Sequence, residues 1–111
     1  MPGITLETRD DIGVLHVDVG RGNAIDQRFV DRLTSALYEL LESPVRAGVI
    51  TAPGKVFSGG LDLAWTAELD REGMGDFVDG FEGMFERVYT FPKPLVAAVN
   101  GHAFAGGAVL A

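Results

Sequence analysis

The chain has 111 residues, with 16 acidic against 9 basic side chains, a net charge of −7 and no cysteine. That is the length of one domain, long enough to bury roughly two-thirds of the surface its unfolded form exposes. The acidic balance without a basic cluster argues against nucleic acid as a partner, and the missing cysteines exclude disulfides, thiolate metal sites and a cysteine nucleophile.

A hydrophobic fraction of 47% with 23% charged residues is that of a soluble globular protein. Met1-Pro2-Gly3-Ile4 has no charged-then-apolar export pattern. The most apolar stretch, Leu95 to Ala111, is too short to span a membrane and carries Asn100, His102 and three glycines. No membrane contact is expected, and the absence of cysteine fits a reducing, cytoplasmic compartment. The 15 glycines follow no period and adjoin no Ser/Pro tract, so they mark tight turns and close approaches rather than a linker.

In chain order, Ile4–Thr8 and Ile12–Val19 read as two strands around a turn at Asp10-Asp11, the second with period-2 alternation. Asp26 then caps a helix that carries Phe29, Val30, Leu33, Leu37, Leu40 and Leu41 on one stripe and stops at Ser43-Pro44. Residues 47–52 form a short apolar run, expected as a strand buried on both faces. A glycine loop over 53–60 leads to a short helix at Leu61. Phe77, Phe81, Met84, Phe85 and Val88 then recur at helical spacing up to Phe91, although Gly75, Gly80 and Gly83 weaken that helix. Pro92 and Pro94 end it, Leu95–Asn100 is a second fully apolar strand, and a helix begins near Ala105. Strands and helices alternate as in an α/β fold with parallel crossovers. The last helix has no C-cap and no polar close, so the chain is expected to be the N-terminal part of a longer, truncated domain spanning 1–111.

Two stretches place bare glycine backbone at the mouth of a helix: "FSGGLDL" at 57–63 and "GHAFAGGAVLA" at 101–111. A helix start offers unpaired N–H groups, and a glycine before it lets a ligand reach them. Two such corners, each following an apolar strand, can converge on one oxygen atom as an oxyanion hole, with the backbone N–H groups of Leu61 and Gly106 as donors.

The segments "GNAID", "GVITAPGKVFSGGLDL" and "PKPLVAAVNGHAFAGGAVLA" together resemble the crotonase, or enoyl-CoA hydratase/isomerase, superfamily over nearly the whole chain. The resemblance implies a spiral of ββα units, here only its N-terminal portion, that binds an acyl-coenzyme A thioester. The thioester oxygen would accept the Leu61 and Gly106 N–H groups, stabilising an enolate. Asn23, Ala24 and Ile25 with Leu61, Asp62, Leu63 and Ala64 would line the coenzyme A path, with Gly59 and Gly60 at its adenine end and first corner. Acyl-CoA is then the substrate, no cofactor or metal is implied, and the whole protein would be a homotrimer or hexamer.

Two departures qualify the resemblance. Val109 occupies the position of a family glutamate, so two-glutamate hydration is in doubt and a binding or scaffold relative is the alternative. Ala105 replaces a common glycine, read as a minor change. A serine hydrolase using Ser58 with His102 is a third reading, without a Gly-x-Ser-x-Gly elbow to support it. Asp62 is expected to cap its helix, Glu68 and Asp70 fall in a segment that covers the acyl pocket in the family, and Trp65, Phe77 and Phe81 form a helical stripe more typical of core than of a ligand site.

Overall fold

A computed structural model describes residues 3–111. Met1 and Pro2, where the stretch read for an export signal begins, lie outside the described residues. The first half comprises β1 (Gly3–Arg9), β2 (Ile12–Asp18), a 3-10 turn (Arg21–Asn23), α1 (Gln27–Glu42) and β3 (Ala47–Thr51). The second comprises β4 (Val56–Ser58), α2 (Leu63–Thr66), α3 (Arg71–Tyr89), β5 (Leu95–Ala97), β6 (His102–Ala103) and α4 (Gly106–Leu110).

Four strands form a sheet in the order β1-β2-β3-β5. β1 and β2 are an antiparallel hairpin about Asp10-Asp11, and β3 and β5 add in parallel. The crossover from β2 to β3 is α1, whose N-terminus is capped as expected: Asp26 Oδ1 accepts the Phe29 N–H at 2.9 Å. At its other end Lys93 Nζ donates to the carbonyls of Leu40 (3.1 Å) and Ser43 (2.9 Å), beside the Ser43 N–H and Oγ that also reach Leu40 O. Phe29, Val30, Leu33, Leu37 and Leu40 are buried. Leu41, placed on the same stripe from the sequence, is 39% exposed, because it lies about 100° around the helix from Leu40.

α1 lies so close to the sheet that a Cβ on Gly48 would sit 2.6 Å from Leu40 Cδ2. The register places Val14, Val49 and Val96 in one row on the other face. There Val96 is 58% exposed, which corrects the expectation that β3 and β5 are buried on both sides. The reason is layering: α1 packs on one face of the sheet, and α3 packs on α1. β5 is also shorter than expected. Ala98 N–H still reaches the Ile50 carbonyl, but the Asn100 side chain is drawn to the carbonyls of Pro53, Gly54 and Val56.

α3 begins six residues before Phe77, where Asp70 Oδ1 accepts the Gly73 N–H at 2.6 Å. A second, two-stranded sheet pairs β4 with β6 in parallel, Val56 opposite His102 and Ser58 opposite Ala103. At three and two residues, these strands are too short to show a period, and β4 falls within the glycine loop expected over 53–60. They bring the two glycine stretches side by side.

Candidate functional site

The site is built on an unusual turn. Gly20, Arg21, Gly22 and Asn23 have φ of 80°, 53°, 65° and 52°, four successive residues on the left-handed side. Asparagine tolerates that conformation better than most residues, and here its side chain is fully used. Asn23 Oδ1 accepts the Val19 N–H (2.9 Å), while Nδ2 donates to the carbonyls of Val17 (2.9 Å) and Phe57 (3.0 Å). Asn23 is 5% exposed. It clamps β2 to β4 and does not present its side chain to a ligand path.

Beyond Asn23 the turn zips onto the first glycine corner. Gly59 N–H donates to Gly22 O (3.0 Å), Ile25 N–H to Gly60 O (2.8 Å), and Asp62 N–H to Ile25 O (3.0 Å). Ile25 thus bonds the residues either side of Leu61, the pattern of a parallel bridge. In such a bridge the N–H of the facing residue, Leu61, is directed to the opposite edge. That is why α2 starts at Leu63 rather than at Leu61.

The second corner lies against the first. Gly60 has φ 84°, and a Cβ there would be 2.8 Å from Phe104 O, 3.1 Å from Gly106 N and 3.3 Å from Ala105 Cβ. Gly107 N–H donates to Phe104 O at 2.7 Å, starting α4. Among the described residues neither the Leu61 N–H nor the Gly106 N–H has a hydrogen-bond partner. Two free backbone donors therefore sit on adjoining corners, with glycine where a side chain would separate them. Beside Gly106 stand Ile25 and Phe81: a Cβ on that glycine would lie 3.2 Å from Ile25 Cδ1 and 3.8 Å from Phe81 Cζ. Phe81 lies tilted on Phe77 and edge-on to Phe85, while Trp65 meets Phe77 edge-on, and Phe77 is core at 3% exposure.

Ala105 corrects the sequence reading. Its φ of 47° and ψ of −114° belong to glycine, so the methyl group is not a minor replacement but a point of backbone strain.

The remaining polar residues are largely committed. Asp62 Oδ1 caps α2 by accepting the Trp65 N–H (3.1 Å), as anticipated, and Oδ2 accepts from Arg21 Nη1 (3.3 Å). Asp70 caps α3 through Oδ1. Ser58 is wholly buried, and His102 is exposed and stacked on Phe104 at 5.6 Å between ring centroids. With Ser58 Oγ donating to Asn23 O at 2.8 Å, the two form no nucleophile–base pair, and the hydrolase reading falls. Of the other expected contact residues, Gly59, Leu61, Leu63 and Ala64 are exposed, Ala24 and Asp62 are half-buried, and Ile25 and Gly60 are buried. Among the described residues no cluster of His, Asp and Glu has the makings of a metal site, and no helix is long and apolar enough to cross a membrane.

Residues 9–111 match the enoyl-CoA hydratase/isomerase family model, and the chain belongs to that family, with its crotonase-like α/β fold. A Thermus thermophilus relative that carries the enoyl-CoA hydratase name is 46% identical over 98 residues, covering 85% of this chain and 39% of its own length. A carnitinyl-CoA dehydratase of Salmonella arizonae is 38% identical, over 86% of this chain and 37% of that protein. The crystal structure of a probable enoyl-CoA hydratase of Mycobacterium tuberculosis superposes with a TM-score of 0.89 at 34% identity, covering 96% of this chain and 45% of that one. The chain thus spans less than half the length of these relatives.

Proposed function

We propose that this chain holds an acyl-coenzyme A thioester by its carbonyl oxygen, with the backbone N–H groups of Leu61 and Gly106 as paired donors. The observation that carries the proposal is the contact between the corners, where only a missing Cβ on Gly60 keeps space beside Gly106 N. Donors fixed before the reaction stabilise charge as it develops on an enolate oxygen, without reorganising at that moment. Gly59 to Ala64 and the Asn23 to Ile25 segment, chiefly through backbone, follow the coenzyme A moiety. Ile25 and Phe81 flank the acyl group beside Gly106. Acyl-CoA is the substrate, and no cofactor takes part. The whole protein is a homotrimer or hexamer. Its proton-transfer group comes from residues outside this chain, since Asp62 is occupied and position 109 is valine.

The test is infrared difference spectroscopy of butyryl-CoA labelled with 13C at the thioester carbonyl. Bound to the protein, the carbonyl band moves to lower frequency, and Gly106→Val removes that shift while circular dichroism stays unchanged. A bound thioester whose band matches free solution overturns the proposal.

A binding-only relative is the second reading, favoured by Val109, which is 71% exposed and apolar where an acid would act. In that case the band shift persists, but the α-protons of the bound acyl group do not exchange with deuterium in the full-length protein.

A further inference from the structure

We infer that Ser58 is a positioning residue that sets the spacing between the two donor corners. The inference rests on the thioester-holding role proposed above. Ser58 ends β4, is 0% exposed and touches both corners through different atoms. Its Oγ donates to Asn23 O at 2.8 Å and accepts the Gly60 N–H at 3.2 Å. Its carbonyl accepts the Phe104 N–H at 3.0 Å, two residues before Gly106. Gly107 packs directly on it, where a Cβ would come within 2.8 Å of the Ser58 carbonyl carbon and 2.9 Å of its Cβ.

Glycine has the least conformational preference of any residue, so Gly60 must be held from outside. Its carbonyl is held by Ile25 N–H and its N–H by Ser58 Oγ. The Leu61 N–H belongs to the peptide unit that leaves Gly60, so those two anchors fix its direction. One hydroxyl, with one donor and two acceptor lone pairs, thus joins the clamp at Asn23 to the first corner. The carbonyl of the same residue holds the strand that delivers the second. The Ser58 side chain thus ties two segments, at Asn23 and Gly60, and its main-chain carbonyl a third.

The test compares butyryl-CoA with its thioether analogue S-butyl-CoA, which lacks the carbonyl oxygen, by titration calorimetry on the full-length wild-type protein and its Ser58→Ala variant. Amide hydrogen exchange is followed by NMR on the same samples. Ser58→Ala is expected to lose at least about tenfold of the preference for thioester over thioether, at unchanged S-butyl-CoA affinity. The amides of both Gly60 and Phe104 exchange at least about tenfold faster, and that of Leu15 in the main sheet does not change. Either loss without the other overturns the coupling of the corners, as does a variant identical to wild type. A wild-type chain with no thioester preference overturns the proposed function instead, and the exchange rates alone then decide the role of Ser58. If Ser58→Ala does not fold, Ser58→Cys, with a weaker acceptor, is expected to show the same pair of losses at smaller size. Wild-type behaviour in that variant also overturns the assignment.

Discussion

Replacing Ala105 with glycine is expected to stabilise the protein, against the usual direction of such a change. Ala105 has φ 47° and ψ −114°, a conformation that costs a residue with a Cβ about 1–3 kcal/mol and glycine almost nothing. Its methyl is exposed, so removing it forfeits little burial. The opposing effect is the greater freedom of glycine in the unfolded chain, about 0.4–1 kcal/mol. The balance is a gain of about 1 kcal/mol, or about 4 °C in the midpoint of thermal unfolding for a domain of this size. Thermal unfolding by circular dichroism and the urea midpoint should rise together. A midpoint at or below that of wild type would refute the claim that position 105 is strained. Gly107→Ala is the control of opposite sign. Its new Cβ would meet backbone and Cβ atoms of Ser58 at 2.8 and 2.9 Å, and a loss of at least about 2 kcal/mol is expected.

Other substitutions test the rest of the fold. Asn23→Ala orphans three buried backbone groups and is expected to cost about 3 kcal/mol, read as a fall in the urea midpoint. Gly75→Ala, on an exposed face of α3 with open space at its Cβ position, should stabilise by about 0.5–1 kcal/mol and raise the midpoint. The hydrogen bond from Arg9 at 2.7 Å, helped by His16, holds the Glu7 carboxyl below its ordinary range. The folded pKa lies under the unfolded one, so the stability it contributes is present above about pH 4.3 and is lost as pH falls through the lower folded value. Glu7→Gln should therefore slightly flatten the acid side of a plot of thermal midpoint against pH. The effect is small because the pair is exposed.

Features that rest on local chemistry were legible in the sequence. Asp26 and Asp62 announce their caps by residue type and position, and Ser43-Pro44 announces a stop. The buried side of α1 follows from its period to within one residue, Leu41. The two glycine corners were legible for the same reason, since only glycine suits backbone that another backbone must approach. What depends on partners distant in the chain was not. The Asn23 side chain looks like one more turn asparagine until β2 and β4 supply three groups for it to bond. Asp70 looks like a free acid until Gly73 N–H is seen above it. β4 and β6 carry no periodic signal at their length and exist because Asn100 and Phe104 fasten one to the other. The strain at Ala105 lies in its φ of 47° and ψ of −114°, backbone angles that no residue type states.

The four left-handed residues at 20–23 also bear on the order in which the molecule forms. Left to itself this turn is unfavourable, since Arg21 and Asn23 both carry a Cβ. Val17 and Val19 hold it from nearby, but two further groups that fasten it, Phe57 O and Ser58 Oγ, lie 34 and 35 residues further along the chain. Contacts at that separation must first overcome the entropy of closing the loop, whereas the β1–β2 hairpin and α1 need only near neighbours. The turn is therefore expected to complete its set of bonds only once β4 has arrived. Molecules caught earlier would keep the local hairpin and α1, yet would lack the bonds that direct the Leu61 N–H. Assembly of the two glycine corners is then expected to be a late step, and pulsed amide exchange during refolding checks it: protection of the Gly60 amide as early as that of Leu15 would refute the order.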